Sequence, residues 1–442
     1  MLLRFVVKNL YSFKEETEFN LFPSSRATHH LHHKIQCGHA EALRFSSIYG
    51  ANGAGKSNLI KAITDLKLIV TRGSISGSLL HMFKFQLSKD CFKEPVSMAV
   101  EFCYDGLVYY YSIEFDMGNV NYESLSISEN DKDRLVFERK SNGSQTITFG
   151  KDYLKDKKNV FFSNVLEEKL LKKDDLLLSF MAVNYPEEIK GIKDAYSWFI
   201  NKLIIVQSEG LKNLAVAHLM DADPNMLMLL SELLPGMKTG ITRISIAPTI
   251  MEEDKLTTEW VNELKSNPGQ ARTVASSIDS RVTASVVYEN GKIVLKELQP
   301  FHRMADGTEV KMPINFESDG TIRLIEYTPI LYLILHQNCT VFIDEVERSL
   351  HPILIKEIVT KLSESKTAKG QLIFTTHESC LLDQDILRPD EIWFAQKDQD
   401  QATQLYPLSD FNIHKTANIE NGYLNGRYGG IPFLSNIKDL HW

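Results

Sequence analysis

The glycine-rich stretch at residues 50–57 has the composition and spacing of a phosphate-binding loop. It fits G-x-x-x-x-G-K-[ST], a pattern in which glycines let successive backbone N–H groups turn toward phosphate oxygens. A helix that follows such a loop presents its N-terminus to the same anion. Lys56 would reach the β- and γ-phosphates, and the Ser57 hydroxyl would coordinate Mg²⁺. The predicted phosphate-binding residues are Gly50, Ala51, Asn52, Gly53, Ala54, Gly55, Lys56, Ser57 and Asn58.

Two adjacent carboxylates, Asp344 and Glu345, follow the apolar run of residues 341–343. Such a run is typical of a strand buried inside a parallel sheet. At the end of that strand, Asp344 would hold Mg²⁺ directly or through water, and Glu345 would polarise the attacking water. A second apolar strand, residues 372–376, ends at His377, which could contact the γ-phosphate. The predicted catalytic residues are Glu345, His377 and Lys56, and the predicted metal ligands include Ser57 and Asp344.

Strands and helices flank these motifs in the order that such a site requires. Residues 45–49 predict a strand before the glycine-rich loop, and apolar side chains at helical spacing in residues 59–70 predict a helix after it. A helix starting near Pro352 would separate the acidic strand from the strand that ends at His377. From about residue 316 onward, helices alternate with short apolar strands, which predicts a parallel α/β core.

Antiparallel strands are predicted outside this core. Residues 1–22 predict a strand pair, residues 94–128 a hairpin that turns at Asp105-Gly106, and residues 285–298 a second hairpin that turns at Asn290-Gly291. Residues 155–235 are rich in Leu, Lys and Glu at helical spacing, without a sustained apolar heptad. This range therefore predicts a compact helical insertion rather than a long coiled coil.

A polar loop after residue 22 contains four histidines, His29, His30, His32 and His33. Four imidazoles so close together could bind a metal ion. Their spacing suits no standard site, however, and no cysteine or carboxylate lies between them. We therefore predict an exposed loop here.

Charge and hydropathy limit the classes of protein that remain. The net charge of −8 argues against a protein that coats nucleic acid, although it does not exclude a local basic groove. No apolar run reaches the length of a bilayer span, and the first residues lack a signal-peptide pattern. We therefore expect a cytoplasmic protein without a membrane partner.

The order of these motifs resembles ABC-type ATPases, the class that includes SMC heads. The chain between Lys56 and Asp344 is far longer than one βαβ unit needs, and it would hold an antiparallel subdomain and the helical insertion. In that class, a serine-glycine signature from one subunit closes over the ATP of the other. Residues 317–321 stand at the matching position and have Asp319 in place of a glycine. The resemblance implies ATP and Mg²⁺ as cofactors, ATP contacts from Ser318 and Gly320, and a homodimer or a larger ring of dimers.

Two further positions match motifs of this class. Residues 347–352 stand where the class has its D-loop, and Gln86 is the candidate for the glutamine that contacts the metal. The predicted fold is therefore α/β, a P-loop NTPase of the ABC-ATPase type with an antiparallel β subdomain and a helical insertion. Its predicted parts are residues 1–154 for the N-terminal half of the ATPase head, 155–235 for the insertion, and 236–442 for the C-terminal half with the signature, the acidic strand, His377 and the tail.

A narrower resemblance covers nearly the whole chain. The chain is similar to a family of bacterial stand-alone ATPases that includes the ATPase of the AbiL abortive-infection system and the RloA proteins. The ATPase subunits of PARIS-type phage-defence systems are relatives of this family. Members are usually encoded beside an effector, often a nuclease or a Toprim-like protein. This implies an ATPase that senses infection and controls a partner effector. The matching segments are residues 48–58, 317–323, 345–352, 371–377 and 423–432.

Other functions stay open at this point. An OLD-like nuclease would share the ATPase half, but the chain after His377 is too short for a Toprim domain and its linker. The pair Asp383 and Asp385 resembles a metal-binding pair, although a solvated turn is the better interpretation. A DNA-repair or chromosome-structuring ATPase is the third candidate, against which the missing coiled coil and the acidic charge count. The degenerate signature counts against a transporter subunit.

Overall fold

A six-stranded, mostly parallel sheet holds the predicted motifs in the computed structural model of this chain. The structure describes residues 1–75, 84–116, 118–129, 132–142, 144–208, 215–236, 239–275, 283–414 and 417–431. In spatial order, the strands are β11 (Leu203–Val206), β17 (Thr340–Ile343), β18 (Gln371–Thr375), β5 (Phe45–Tyr49), β19 (Ile392–Lys397) and β20 (Thr403–Pro407). Because β17, β18, β5 and β19 run parallel, their carboxyl ends lie along one edge. The loops that follow β5, β17 and β18 therefore meet there.

Helix α1 (Lys56–Arg72) follows β5 and packs its apolar face into the core. The predicted stripe is confirmed, because Leu59, Ile63, Leu66 and Val70 are all buried. The helix ends at Gly73, whose φ of 78° is a left-handed conformation that glycine adopts without steric cost. The Gly73 N–H donates to the Ile69 carbonyl and so caps the last turn.

A seven-stranded antiparallel sheet stands beside this α/β core. Its strand order is β10 (Ser144–Phe149), β9 (Lys132–Asn142), β8 (Asn119–Glu129), β7 (Leu107–Asp116), β6 (Val96–Tyr104), β1 (Leu2–Lys8) and β2 (Thr17–Asn20). The predicted hairpin is confirmed: Asp105 and Gly106 join β6 to β7 with φ values of 48° and 79°. Positive φ at both positions matches the right-handed twist of the strands. The short strands β3 (Lys34–Cys37) and β4 (Ala40–Leu43) form a separate pair.

The chain divides into two compact units. The first comprises Met1–Ile205, Asn338–Val346 and Val359–Trp442, and the second comprises Val206–Gln337 and Glu347–Ile358. The first unit contains the helices α2 (Lys157–Val165), α3 (Leu177–Asn184), α4 (Lys190–Asn201) and α10 (Ile419–Leu424). Helix α9 (Pro352–Glu364) begins at the proline where the sequence predicts a helix start. Within the described ranges, every helix falls short of the length or apolar character that crossing a bilayer requires.

The second unit combines an antiparallel sheet with helices. Asn290 and Gly291, with φ values of 50° and 76°, join β14 to β15, which confirms the second predicted hairpin. The strands are β12 (Ile241–Met251), β13 (Arg272–Ala275), β14 (Thr283–Glu289), β15 (Lys292–Arg303) and β16 (Glu309–Lys311). The helices are α5 (Val216–Ala222), α6 (Pro224–Gly236), α7 (Thr258–Ser266) and α8 (Asp319–His336).

The predicted helical insertion differs from the structure in one respect. The sequence predicts one compact unit over residues 155–235, whereas the structure divides that range between both units. Trp198 and Phe199 of α4 pack into the core of the first unit, and β11 then enters the parallel sheet. The helices after β11 instead pack with Ile241 and Ile325 in a separate core. Helical periodicity shows that a face is buried, but not which core buries it.

The prediction that the histidine-rich segment is an exposed loop is wrong. Leu31–His33 forms a 3₁₀ turn, and the His33 side chain is fully buried. His33 Nδ1 lies 2.9 Å from both carboxylate oxygens of Glu391, which is also fully buried. Burial lowers the pKa of His33 to about 4 and raises the pKa of Glu391 well above its usual range. The carboxylate partner stands far away in sequence, so the local pattern could not reveal it.

Candidate nucleotide-binding site

The glycine-rich loop joins β5 to α1 at the carboxyl edge of the parallel sheet. Two of its glycines are required by close neighbours. A Cβ on Gly50 would lie 2.5 Å from the Ala395 carbonyl oxygen of β19. Gly55 has a φ of 111°, and a Cβ there would clash with the Thr403 side chain of β20. The neighbouring strands of the sheet therefore restrict these two loop positions to glycine.

A hydroxyl network supports the rear of this loop. Thr403 Oγ1 lies 2.8 Å from the Ala54 carbonyl oxygen and 2.7 Å from Ser12 Oγ. Asn58 Nδ2 donates to the same Ser12 oxygen at 2.8 Å. Ser12 and Thr403 could not be recognised from the sequence, because single hydroxyl residues far apart in the chain form no motif.

Lys56 lies over the loop, and its side chain is nearly fully buried. Its Nζ donates to the Gly50 carbonyl at 2.8 Å and to the Ala51 carbonyl at 3.3 Å. Both acceptors are uncharged backbone carbonyls of the loop. A bound triphosphate would offer it charged oxygens, with which hydrogen bonds are stronger.

The carboxylate of Asp344 lies beside the Ser57 hydroxyl, as the predicted metal site requires. Ser57 Oγ is 3.1 Å from Asp344 Oδ1. Neighbouring ligands in an octahedral Mg²⁺ shell with bonds of 2.0–2.1 Å are about 3 Å apart. Both candidate metal ligands are oxygen atoms, the ligand type that Mg²⁺ prefers. The residues present therefore fit this ion.

Thr375, the last residue of β18, holds both members of the acidic pair. Its Oγ1 donates to Asp344 Oδ1 at 2.6 Å and accepts a hydrogen bond from the Glu345 N–H at 2.8 Å. Glu345 has a φ of 52°, a conformation that costs a non-glycine residue about 1–3 kcal/mol. The Thr375 side chain is fully buried. It positions the metal ligand and the strained backbone of the predicted base together.

A pocket of about 150 Å³ brings all three predicted catalytic residues, Lys56, Glu345 and His377, together. Glu345 and His377 line it from the ends of β17 and β18, opposite the glycine-rich loop. Their meeting follows from the neighbouring parallel strands, although the roles of these residues stay predictions. The pocket is lined by Asn52, Gly53, Ala54, Gly55, Lys56, Ser57, Asn58, Glu345 and His377.

Gln86 lies in a neighbouring cavity of about 290 Å³, not in the loop pocket. Its Nε2 donates to the Lys84 carbonyl at 2.6 Å, and Asn58 lines both cavities. Tyr11 and Lys397 also line this second space. Gln86 is therefore adjacent to the phosphate loop, and its role as a metal ligand stays a prediction.

Ser318 and Gly320 lie in the second unit, at the start of α8. Ser318 is exposed and caps the helix by accepting a hydrogen bond from the Thr321 N–H at 3.2 Å. A Cβ on Gly320 would lie 2.9 Å from the Ser349 carbonyl oxygen, which favours glycine at that position. The predicted signature is thus an exposed helix N-terminus with a serine cap.

The C-terminal glycine stretch packs against the sheet beside the phosphate loop. The Tyr406 hydroxyl donates to the Tyr428 carbonyl at 2.9 Å, and the Tyr423 hydroxyl donates to the Gly430 carbonyl at 3.2 Å. Gly429 has a φ of 69°, a left-handed conformation that favours glycine at that position. Pro432, the last residue of the matched segment, lies outside the described residues.

Three features of this chain together define a P-loop ATPase head of the ABC type. They are a phosphate loop at the edge of a parallel sheet, an acidic pair at the end of a parallel strand of the same sheet, and a flanking antiparallel sheet. The chain belongs to the protein family described as "AAA domain, putative AbiEii toxin, Type IV TA system", whose model matches residues 45–383. No curated protein matches the chain in sequence.

Solved structures resemble the chain weakly. An SMC head domain from Thermotoga maritima is 12% identical over 93% of this chain and 99% of that one, with a TM-score of 0.40. An Smc head domain with an extended coiled coil, bound to the C-terminal domain of ScpA derived from Pyrococcus furiosus, is 13% identical over 92% and 96%, with a TM-score of 0.38. The sheet order and the phosphate loop of this chain therefore remain the basis of the fold assignment.

Thr375→Val is expected to lower ATP turnover roughly 10- to 100-fold and to raise the Mg²⁺ concentration for half-maximal activity. The change removes the hydroxyl that holds Asp344 and Glu345 but keeps the shape of the side chain. Thr375→Ser keeps the hydroxyl and should restore most of the activity. Thr328→Val is the matched control, because that buried hydroxyl donates only to the Leu324 carbonyl of its own helix. An unchanged Mg²⁺ dependence in Thr375→Val would contradict the positioning role.

Proposed function

We propose that this chain hydrolyses ATP with Mg²⁺ and that its nucleotide cycle controls a partner effector in a bacterial anti-phage, abortive-infection system. The pocket that joins the phosphate loop to Glu345 and His377 is the main support for hydrolysis. Bound Mg²⁺ would neutralise charge on the phosphates. Lys56 would bind the triphosphate, and the Glu345 carboxylate would orient and accept a proton from the attacking water. The family to which the chain belongs supports a role in abortive infection.

The active form would be a homodimer or a larger ring of dimers. Ser318 is exposed at the N-terminus of α8, and such an end favours an anion because its N–H groups point outward. In the proposed assembly, this end faces the triphosphate bound to a second copy of the chain. A homodimer is the smallest closed arrangement that completes both sites symmetrically.

The effector would be a protein encoded nearby, such as a nuclease or a Toprim-like protein. ATP can shift a conformational equilibrium only by its different affinity for the two states. A partner that prefers one of those states is then released or activated as the nucleotide changes. The helical segments of residues 155–235 and the tail beyond Asp410 are the proposed docking surfaces, since neither contributes a side chain to the phosphate pocket.

Expression with and without the neighbouring gene tests this function. The chain alone should hydrolyse ATP, leave DNA and RNA intact and permit growth, whereas with its neighbour it should co-purify and restrict phage. Lys56→Ala should keep the partner but lose the nucleotide-dependent response. Metal-dependent cleavage of nucleic acid by the chain alone, lost in Asp383→Asn with Asp385→Asn, would support the nuclease alternative instead. In the structure, the Asp385 N–H donates to Asp383 Oδ1 at 3.0 Å, which is the geometry of a local turn.

A further inference from the structure

Three histidines of the first unit meet at a place that the nucleotide site does not use. One ring nitrogen from each of His30, His32 and His33 lies within 4.8 Å of the other two. The rings of His32 and His33 have their centroids 4.6 Å apart, and those of His30 and His33 are stacked at 4.8 Å. Imidazole nitrogen is a preferred ligand of Zn²⁺ and of related transition-metal ions.

The His33 ring is held in a fixed orientation by a buried carboxylate. Its Nδ1 lies 2.9 Å from both oxygens of Glu391, and the Arg388 N–H donates to Glu391 at 2.8 Å. A histidine that ligates a metal commonly has its other ring nitrogen held by a carboxylate in this way, which fixes the ring and aims the ligating nitrogen. Glu391 therefore directs His33 Nε2 toward the cluster.

One ring nitrogen of each histidine lies at hydrogen-bond distance from a backbone carbonyl oxygen. His32 Nε2 and His33 Nε2 lie 2.8 and 3.0 Å from the same Ser363 carbonyl oxygen, and His30 Nε2 lies 2.9 Å from the Gln384 carbonyl oxygen. Neighbouring ligands in a tetrahedral site with bonds of 2.0–2.1 Å are about 3.3 Å apart. An Nε2 that donates to a carbonyl carries the ring proton, so ion binding requires each ring to hold its proton on Nδ1 instead, as the Glu391 contact allows for His33. With a small rearrangement of half-buried His30 and His32, three nitrogens could then surround one ion, with the Ser363 oxygen or water as the fourth ligand.

We propose that His30, His32 and His33 form a binding site for Zn²⁺. Three imidazoles without a carboxylate in the ligand set suit this ion and disfavour Mg²⁺, which requires oxygen ligands. Through the Ser363 oxygen, the ion would join the turn Leu31–His33 to the end of α9. It would therefore stabilise the folded first unit, because a ligand that binds the native state raises its melting temperature.

Zinc titration of the full chain, after treatment with a chelator and with Mg²⁺ in excess, tests this site. Competition with a chromophoric chelator should show one Zn²⁺ per chain, and Zn²⁺ should raise the melting temperature. His30→Gln and His32→Gln should each weaken binding at least roughly 10-fold, and the double variant should abolish it. Both changes leave the buried contact between His33 and Glu391 in place, so the fold should persist. His39→Gln, at the exposed turn between β3 and β4, is the matched control and should bind normally.

A second variant separates this site from the nucleotide site. Asp344→Asn should bind Zn²⁺ with the affinity of the unchanged chain, since Asp344 belongs to the phosphate pocket. Loss of zinc in Asp344→Asn, undiminished binding in the double histidine variant, or less than one Zn²⁺ per chain would overturn the proposal. None of these outcomes depends on ATP hydrolysis.

Discussion

Glu345→Gln is expected to bind ATP as the unchanged chain does and to hydrolyse it roughly 10²- to 10⁴-fold more slowly. Glutamine keeps the size of the side chain but cannot accept a proton from the attacking water. Glu345 lines the phosphate pocket, and its N–H is held by Thr375 at 2.8 Å, so the backbone geometry should persist in the variant. Single-turnover hydrolysis and nucleotide affinity, measured separately, would distinguish slow chemistry from weak binding.

Glu364→Gln is the matched control for this substitution. Glu364 is an exposed acid at the end of α9, so the same change in charge there should leave turnover unaltered. Hydrolysis by Glu345→Gln at the normal rate would show that another group is the base. Weak ATP binding in Glu345→Gln would show instead that the carboxylate acts before the chemical step.

The sequence could predict the core of the site because its signals are local. The phosphate loop is one continuous motif, and the acidic pair and His377 each follow an apolar strand. Parallel strands place their carboxyl ends along one edge, so their meeting follows from topology alone. The two hairpins were equally predictable, because Asp-Gly and Asn-Gly are turn signals that need no distant partner.

The supporting contacts could not be predicted, because their partners are distant in sequence. Thr375 and Glu345 stand 30 positions apart, and Ser12 and Thr403 stand 391 apart. A single threonine or serine has no distinctive pattern until the fold pairs it. The burial of His33 depends in the same way on Glu391, which lies in the 3₁₀ turn Pro389–Glu391 just before β19. Helical periodicity likewise left open which of two cores receives residues 155–235.

Mixing two inactive variants should restore ATP hydrolysis if two copies of the chain share each site. Lys56→Ala removes the ammonium that contacts the phosphates, and Ser318→Arg places a bulky cation at the exposed start of α8. Each variant alone should be nearly inactive. A mixed dimer would contain one intact site, formed by Lys56 of one chain and Ser318 of the other. Random mixing at equal amounts should therefore recover about one quarter of full activity, since half of the dimers are mixed and half of their sites are intact.

The control for this experiment is a chain that cannot complete any site. Lys56→Ala mixed with the double variant Lys56→Ala, Ser318→Arg lacks the ammonium at every phosphate loop and should stay inactive. Because Ser318 also caps α8, Ser318→Arg should cost about 1 kcal/mol of stability, and melting curves must show that it remains folded. Size analysis with differently tagged chains must show that mixed oligomers form. If those oligomers hydrolyse no ATP, each phosphate loop is completed within its own chain, and the shared site is refuted.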